Sequence, residues 1–260
     1  MNLCVVVPCY NEFNRLPEEK FIQFVQANSD IQVLFVNDGS KDQTIDKLKA
    51  LSKSSSLLNY LDLERNQGKA EAVRQGLNHA IKKLSVDVVA YWDADLATPL
   101  ESILLFKQQL LVSPHLKIVI GSRIKRLGSH IYRKKIRHYL GRVFATVASI
   151  VLKVGVYDTQ CGAKMFRVTK ELSASLEKPF LTKWVFDVEL FARLLTYMDV
   201  EEFEGMTYEY PLPSWKDVGE SKVKFYDFIT SIRDMVVIYF NYASSFKSKR
   251  VIADVTKSES

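Results

Sequence analysis

Four short apolar segments alternate with amphipathic segments in the first 92 residues, and this alternation restricts the fold more than any other feature of the chain. The apolar segments cover residues 3–7, 31–36, 57–63 and 86–92. Their length and their β-branched and aromatic side chains are typical of buried strands. The segments between them have helical spacing; in the third, the apolar face comprises Ala70, Val73, Leu77, Ile81 and Leu84. We therefore predict an α/β fold with a doubly wound, mostly parallel central sheet flanked by helices.

Local patterns also predict where individual helices lie. A helix is expected over residues 18–27. Ser40 and Gln43 have the spacing of a capping box, which predicts a helix that starts at Ser40. After the fourth apolar segment, Thr98 and Glu101 repeat that spacing, and the intervening Pro99 suits the first helical position.

Polar residues follow each of the four predicted strands, where the strand gives way to a loop. In chain order they are Asn11 and Glu12, Asp38, Gly68 and Lys69, and Asp93 and Asp95. Because α/β sheets bind ligands beyond the carboxyl ends of their strands, these loops predict a site for a nucleotide whose diphosphate lies on a metal ion. The sequence contains neither GxGxxG nor GxxxxGK[ST], which disfavours dehydrogenases and P-loop enzymes.

Asp93 and Asp95 lie in the segment YWDADLATP, residues 91–99, and present two carboxylates directly after a strand. Hard divalent cations such as Mg²⁺ or Mn²⁺ prefer oxygen ligands of this kind, with phosphates and waters completing the coordination. Such a pair can also be a solvated acidic turn that caps the next helix. The pair is therefore a candidate metal site whose assignment depends on the rest of the chain.

Composition places the chain among reduced, globular proteins. Its 260 residues are 47% hydrophobic, enough for one large α/β domain with a substantial core. Cys4, Cys9 and Cys161 are odd in number and lack metal-ligand spacing, which favours an intracellular protein. We expect no secretory signal, and the sequence lacks the run of roughly 18 apolar residues typical of a transmembrane helix.

The positive charge of the chain is concentrated in one region. Residues 102–157 contain eleven Lys and Arg and no Asp or Glu, although the net charge of the whole chain is only +6. Such a region attracts phosphates of a lipid surface, a nucleic acid or a phosphorylated substrate. Since it lacks interleaved aromatic residues and a readout motif, we do not expect nucleic-acid binding.

Two apolar stripes accompany this charge. The first comprises Leu140, Val143, Phe144, Val147, Ile150, Val151 and Val154; the second comprises Phe225, Phe228, Ile229, Ile232, Val236, Tyr239, Phe240 and Ala243. Amphipathic helices usually pack such a stripe against a core. A helix lying in a membrane interface has the same pattern, with its cations on lipid phosphates, and we favour this interpretation because the cations are concentrated where an acceptor would arrive.

Seven motifs follow one another along the chain. They are VVVPCYNE at 5–12, VNDGS at 36–40, NQGKAEAVRQG at 66–76, DAD at 93–95, GSR at 121–123, DTQCGAKMFR at 158–167 and FDVEL at 186–190. In this order they resemble the family 2 glycosyltransferases with the GT-A fold. DADLATP and DTQCGAKMF are most similar to the branch of dolichyl-phosphate β-glucosyltransferases and dolichol-phosphate mannose synthases. Ala97 stands where the mannose synthases usually carry Gln, which favours the glucosyl side.

The resemblance implies a domain division and a donor site. Residues 1–222 would form the GT-A domain, 223–246 a C-terminal amphipathic helix on or beside it, and 247–260 a flexible tail. The residues implied to contact the nucleotide are Pro8, Tyr10, Glu12, Asp38, Gly68, Lys69 and Asp93, with Asp38 accepting a hydrogen bond from the base. Asp93 and Asp95 are implied to hold the metal, Asp95 more directly. Arg74 either reaches the nucleotide or is a solvated helix residue.

The acceptor side is implied by later motifs. Arg123, Arg133 and Arg137 are candidates for an acceptor phosphate, since guanidinium groups bind phosphate in bidentate fashion. Asp158 is expected to orient the acceptor or the sugar. In relatives that glycosylate a hydroxyl, a carboxylate near Asp187 or Glu189 acts as the general base. A phosphate acceptor needs none, because its second pKa is about 6.

The resemblance implies an inverting transferase that moves a hexose to a polyprenyl phosphate at the cytoplasmic membrane face, where the protein would be peripheral. Glucose from UDP-glucose is the favoured donor, and Mg²⁺ or Mn²⁺ the implied cofactor. One alternative is a family 2 transferase to a glycan hydroxyl with Asp187 or Glu189 as base. Another is a non-catalytic module that binds nucleotide sugars or membranes.

Overall fold

The strands and helices alternate along the chain as the apolar pattern requires. The computed structural model describes residues 1–132, 135–218, 230–242 and 246, with only the backbone at 135–138. The strands are β1 Leu3–Cys9, β2 Ile31–Asp38, β3 Leu58–Leu63, β4 Val88–Trp92, β5 Ile118–Ser122, β6 His130–Tyr132, β7 Ala163–Arg167, β8 Thr207–Pro211 and β9 Ser214–Lys216. The helices are α1 Glu18–Ala27, α2 Thr44–Ser54, α3 Lys69–Lys83, α4 Glu101–Val112, α5 Lys135–Leu152, α6 Lys170–Ser175, α7 Phe186–Leu194 and α8 Val200–Gly205. Residues 230–242 form a further helix, α9.

Seven strands form the central sheet in the order β3-β2-β1-β4-β7-β5-β8. The first four pair in parallel, as predicted, and β8 is parallel to β5. Strand β7 runs antiparallel between β4 and β5, so the sheet is mixed. Strands β6 and β9 form a separate two-stranded sheet. The prediction of a mostly parallel sheet flanked by helices is confirmed.

Two hydrophobic layers cover the two faces of the sheet. Val6, Leu34 and Tyr91 point to one layer with α3, α5 and α7, whereas Val5, Phe35 and Trp92 point to the other with α1 and α4. Helix α3 lies very close to the sheet, since a Cβ on Gly76 would overlap Val6. This close packing fixes the start of α3, where Lys69 lies. The three cysteines are buried thiols within these layers.

The two capping predictions are wrong, because both helices begin later than Ser40 and Thr98 would require and neither helix start has a side-chain cap. Helix α2 begins at Thr44, and the Oγ of Ser40 accepts a hydrogen bond from the backbone N–H of Asn11 at 3.0 Å. Helix α4 begins at Glu101, and the carbonyl of Thr98 accepts from the indole of Trp92 at 2.8 Å. The first interaction joins two loops at the carboxyl edge of the sheet, and the second joins the end of β4 to the loop that follows it.

The first apolar stripe, on α5, is divided between core and surface. Phe144 and Val151 are buried, whereas Val143 and Ile150 are 54% and 71% exposed. Val154 is also buried, beyond the end of the helix.

The second stripe faces outward. Helix α9 buries Met235 and Ile238 together with the polar Ser231 and Asp234. The stripe members Ile232, Val236, Tyr239 and Phe240 are exposed; Phe225, Phe228, Ile229 and Ala243 lie outside the described residues. Among the described helices, none combines the length and apolar character needed to cross a membrane. The domain division at 222 and 246 remains a prediction.

Candidate active site

Asp93 lies directly after β4 and packs closely against the loop that precedes β7. Its backbone N–H donates to the carbonyl of Gly162 at 3.1 Å. A Cβ on Gly162 would overlap the Asp93 carboxylate, so only glycine permits this approach. The Nζ of Lys69, at the start of α3, lies 2.5 Å from Oδ1 of Asp93. The structure thus brings together Lys69, Asp93 and the DTQCG loop, which the sequence predicted separately.

Asp95 lies in the turn that follows. Its Oδ1 accepts a hydrogen bond from the N–H of Ala97 at 3.0 Å, and the intervening Leu96 has a positive φ of 51°. Burial raises the pKa of the Asp95 carboxyl, and the negative charge of Asp93 raises it further. A cation between two carboxylates would relieve this repulsion. In the part of the chain that the structure describes, no cluster of three or more metal-type side chains occurs. The residues present fit a hard cation completed by phosphate oxygens and water.

Asp38 is buried and holds the loop that leads into α3. Its Oδ1 accepts from the N–H of Gln67 at 2.7 Å, and its Oδ2 accepts from the N–H of Gly68 and the side chain of Asn66, both at 2.9 Å. Burial raises the pKa of this carboxyl. Gly68 has a φ of 92°, which favours glycine. Asp38 therefore shapes the loop in front of Lys69; its predicted contact with the base remains a prediction.

The first loop is linked to the start of α2 by a hydrogen bond from the backbone to a side-chain hydroxyl. The N–H of Glu12 donates to Thr44 Oγ1 at 2.8 Å, and Glu12 forms an ion pair with Arg15. Pro8 lies in β1 and, like Tyr10, is partly buried at this edge. These positions suit the predicted nucleotide contacts.

Arg74 has neither of the two roles considered for it. It donates to the carbonyls of Leu176 and Glu177 at 2.8 and 3.1 Å and pairs with Glu71. It therefore stabilises the end of α6 and the following loop.

Arg123 and Asp158 form a bidentate ion pair. The guanidinium Nε and Nη2 lie 2.6 and 2.7 Å from the two carboxylate oxygens, and the N–H of Arg123 also donates to Asp158 Oδ2. The guanidinium lies over the ring of Trp215, 5.3 Å from its centroid. The sequence predicted both residues for the acceptor side but not their pairing. Arg133 lies outside the described residues, as does the side chain of Arg137.

Asp187 is buried in a polar cluster beneath the site. Lys164, which is fully buried in β7, lies 2.7 Å from Asp187 Oδ1 and also donates to the carbonyl of Cys161 at 2.6 Å. The hydroxyl of Tyr91 donates to the same carboxylate oxygen. Burial raises the pKa of the Asp187 carboxyl and lowers that of the Lys164 ammonium. The sequence analysis missed Lys164, although a lysine inside a strand of the DTQCGAKMFR motif was a signal.

Glu189, fully buried in α7, organises the loop before that helix. Its oxygens accept from the N–H groups of Leu181 and Thr182 at 3.0 and 2.9 Å and from the guanidinium of Arg193 at 2.7 Å. Arg193 in turn donates to three carbonyls between residues 175 and 179. Donors of the same chain saturate both Glu189 oxygens, so the carboxylate lacks the available lone pair that a general base needs. This geometry indicates a structural role for Glu189; the catalytic role remains a prediction.

A mixed α/β sheet with an acidic pair and a helix-start lysine at its carboxyl edge is the arrangement that the resemblance to glycosyltransferases predicted. The chain belongs to glycosyl transferase family 2, whose family model matches residues 4–171. Among its relatives, dolichyl-phosphate beta-glucosyltransferase of Saccharomyces cerevisiae is 31% identical over 268 residues, covering 92% of this chain and 75% of the relative. The Homo sapiens protein of the same name is 28% identical over 257 residues, covering 92% and 75%.

Solved structures agree on the fold. Glucosyl-3-phosphoglycerate synthase from Mycobacterium tuberculosis, crystallised with Mn²⁺, UDP and glucosyl-3-phosphoglycerate, superimposes with a TM-score of 0.65. The match covers 93% of this chain and 79% of that protein at 17% identity. At this identity the comparison establishes the GT-A fold alone.

Proposed function

We propose that this protein transfers a hexose, glucose from UDP-glucose in the favoured case, to a polyprenyl phosphate with inversion at the anomeric carbon. The names of its relatives, dolichyl-phosphate beta-glucosyltransferases, support the acceptor and the sugar. The observation that carries the proposal is that both candidate bases have protein partners: Lys164 and Tyr91 both contact Oδ1 of Asp187, and Arg193 and two backbone N–H groups bind Glu189. A hydroxyl acceptor needs a base, whereas a phosphate is already ionised near neutral pH.

The proposed donor site uses the residues at the carboxyl edge. Asp93 and Asp95 would hold Mg²⁺ or Mn²⁺, whose charge would stabilise the diphosphate as it leaves the sugar. Lys69 pairs with Asp93 through a partly exposed contact, so its ammonium can turn towards the diphosphate when the donor binds. Asp38 keeps the loop backbone in place during that movement.

The proposed acceptor site centres on Arg123. Asp158 takes two of the five N–H donors of the guanidinium side chain, and the others can bind phosphate oxygens. An acceptor oxygen attacks the anomeric carbon on the face opposite the diphosphate. The new carbon–oxygen bond forms as the bond to the diphosphate breaks, and the diphosphate leaves with the bonding electron pair. Arg133 and Arg137 remain predicted contacts of the same phosphate.

An acceptor comparison tests this function. Purified protein is given UDP-glucose and Mn²⁺ with either a polyprenyl phosphate or the polyprenol of the same chain length. We expect glucose in the organic extract only with the phosphate, because the phosphate is already ionised, whereas the alcohol needs a base and Asp187 and Glu189 are both engaged in contacts within the protein. Transfer to the polyprenol or to a water-soluble glycan would favour a hydroxyl acceptor. UDP binding without UDP release in any mixture would favour a non-catalytic module.

We also propose that α5 and α9 lie on a membrane surface at its cytoplasmic face. Both helices contact α7, and both expose apolar side chains, Val143 and Ile150 on α5 and Val236 and Phe240 on α9. Ile150 and Phe240 are 71% and 75% exposed. The basic region would attract anionic lipids of the cytoplasmic leaflet, which would also present the acceptor phosphate.

Co-sedimentation with anionic vesicles tests the membrane surface. Ile150→Glu and Phe240→Glu should each weaken vesicle binding about tenfold or more, since each removes a large apolar group and adds a repelled charge. Leu111→Glu is the matched control, because Leu111 is 55% exposed on α4, which packs on the opposite face of the sheet. Equal binding by all three variants would contradict the proposal.

A further inference from the structure

Glu209 binds the loop that carries Asp158 through two hydrogen bonds. It lies on β8, which pairs in parallel with β5, opposite Ile120. Its Oε2 accepts from the N–H of Tyr157 at 2.9 Å, and its Oε1 accepts from the N–H of Asp158 at 2.7 Å. A carboxylate that binds two successive backbone N–H groups restrains the orientation of the peptide between them. That peptide leads directly to the Cα from which the Asp158 side chain extends.

Arg142 holds the same peptide segment from the other side. Its Nη1 donates to the carbonyl of Tyr157 at 2.8 Å, and its guanidinium stacks on the Tyr157 ring at 3.7 Å from the centroid. Arg142 is on α5 and Glu209 is on β8, so two elements distant in sequence hold one turn. The positive charge of Arg142 thus supports this turn, although the sequence analysis counted it within the phosphate-attracting basic region.

The restraint extends from Glu209 to Arg123. Asp158 is 7% exposed and binds Arg123 through both carboxylate oxygens, so the direction of the guanidinium follows that of the carboxylate. Trp215, on β9, covers the guanidinium. Strands β8 and β9 are separated by two residues. One short segment therefore supplies both Glu209, which binds the Asp158 backbone, and Trp215, whose ring lies against the Arg123 guanidinium.

We propose that Glu209 is a positioning residue for the transfer reaction, fixing the Asp158 peptide so that the Asp158–Arg123 pair directs its remaining N–H donors at the acceptor phosphate. Glu209 accepts both backbone hydrogen bonds from the turn behind the pair, and it acts on the acceptor through that turn. The inference rests on the proposed acceptor role of Arg123.

Glu209→Gln is the first test, because it keeps the shape of the side chain but replaces one acceptor oxygen by an NH₂ group that faces a backbone N–H. We expect kcat/KM for the polyprenyl phosphate to fall about 10- to 100-fold, the effect of losing one charge-assisted hydrogen bond. UDP affinity, measured by calorimetry, should change less than about twofold. Glu209→Asp, which retains both oxygens on a shorter arm, should recover part of the loss if the fold is intact.

Glu204→Gln is the matched control. Glu204 accepts from the N–H of Gly155 at 3.2 Å near the start of the same loop, and it is exposed. We expect this variant to keep the wild-type kcat/KM and thermal midpoint. Equal losses in the Glu204 and Glu209 variants, or a parallel loss of UDP binding, would mean that Glu209 only stabilises the loop and would overturn the inference.

A double variant separates positioning from general destabilisation. In an Arg123→Ala background, Glu209→Gln should have less than about a twofold effect on kcat/KM, because neighbouring residues that act through one contact are not additive. Multiplicative losses would contradict a pathway through Arg123.

A readout without any acceptor keeps this inference distinct from the proposed function. The Arg123 Nε–H signal in a ¹H–¹⁵N spectrum can be assigned by its loss in Arg123→Lys. Glu209→Gln should accelerate its hydrogen exchange at least about tenfold, whereas Glu204→Gln should not. Unchanged exchange in Glu209→Gln would overturn the inference even if lipid transfer is confirmed. Accelerated exchange would support it even if the lipid assay fails.

Discussion

Asp95→Ala will reduce the rate of hexose transfer about a thousandfold, which corresponds to about 4 kcal/mol of lost transition-state stabilisation. The reason is that Asp93 alone would hold the cation weakly, so that negative charge on the leaving diphosphate is poorly neutralised. The thermal midpoint should stay at or above the wild-type value, because burial and Asp93 both disfavour the Asp95 charge. Mn²⁺ binding, followed by electron paramagnetic resonance with UDP present, should weaken in parallel. Full activity of the variant, or of the wild type after chelation, would contradict the metal role.

Lys69→Met provides a companion variant with an effect of opposite sign. In the structure the Lys69 ammonium lies on Asp93 and competes with a cation for that carboxylate. Without nucleotide, the variant should therefore bind Mn²⁺ more tightly than the wild type. Its transfer rate should nevertheless fall, because the diphosphate loses a cationic contact. Unchanged or weaker Mn²⁺ binding would show that Lys69 does not compete with the cation for Asp93.

Glu189→Gln will lower the free energy of unfolding by about 3–5 kcal/mol, the usual cost of removing one partner from a buried ion pair. The substitution leaves the buried guanidinium of Arg193 without its counter-charge. It also weakens the hydrogen bonds that the side chain accepts from the N–H groups of Leu181 and Thr182. Urea denaturation measures the change. At temperatures where the variant is folded, its kcat should be close to that of the wild type.

Asp30→Asn is the control for Glu189. Asp30 pairs with Lys107 at the surface, and an exposed pair of this kind contributes about 1 kcal/mol or less. A Glu189→Gln protein with wild-type stability and no activity would reverse our assignment and restore Glu189 as a catalytic group. The motif FDVEL alone gives no means of distinguishing the two roles, since both carboxylates fall in the first turn of α7.

The features that could be predicted from the sequence are those fixed by local pattern. The first four strands, helix α1 and the position of Asp93 and Asp95 follow from apolar runs and the residues directly after them. The placement of β7 between β4 and β5 could not be predicted, because it depends on which gap in the sheet the returning chain fills. The same limit applies to Glu209 and Asp158, which lie 51 residues apart and meet only because β8 joins β5.

Helical periodicity predicted the two amphipathic helices but not which face each buries. On α9 the apolar stripe faces outward, and the buried side includes Ser231 and Asp234. A repeat of apolar residues identifies an apolar face but contains no information about what covers it. The buried Lys164 is a similar case, since a lysine in a strand is tolerated only because Asp187 approaches from a helix 23 residues later.

The contact between Gly162 and Asp93 joins the donor half of the site to the acceptor half. The residue directly after strand β4 supplies the carboxylate, and the loop carrying Asp158 approaches it through Gly162, which has no side chain. In the proposed reaction, the distance between the bound sugar and the incoming nucleophile is therefore fixed by main-chain contacts that form when the protein folds. A direct backbone hydrogen bond thus sets the relative position of the two halves at this contact.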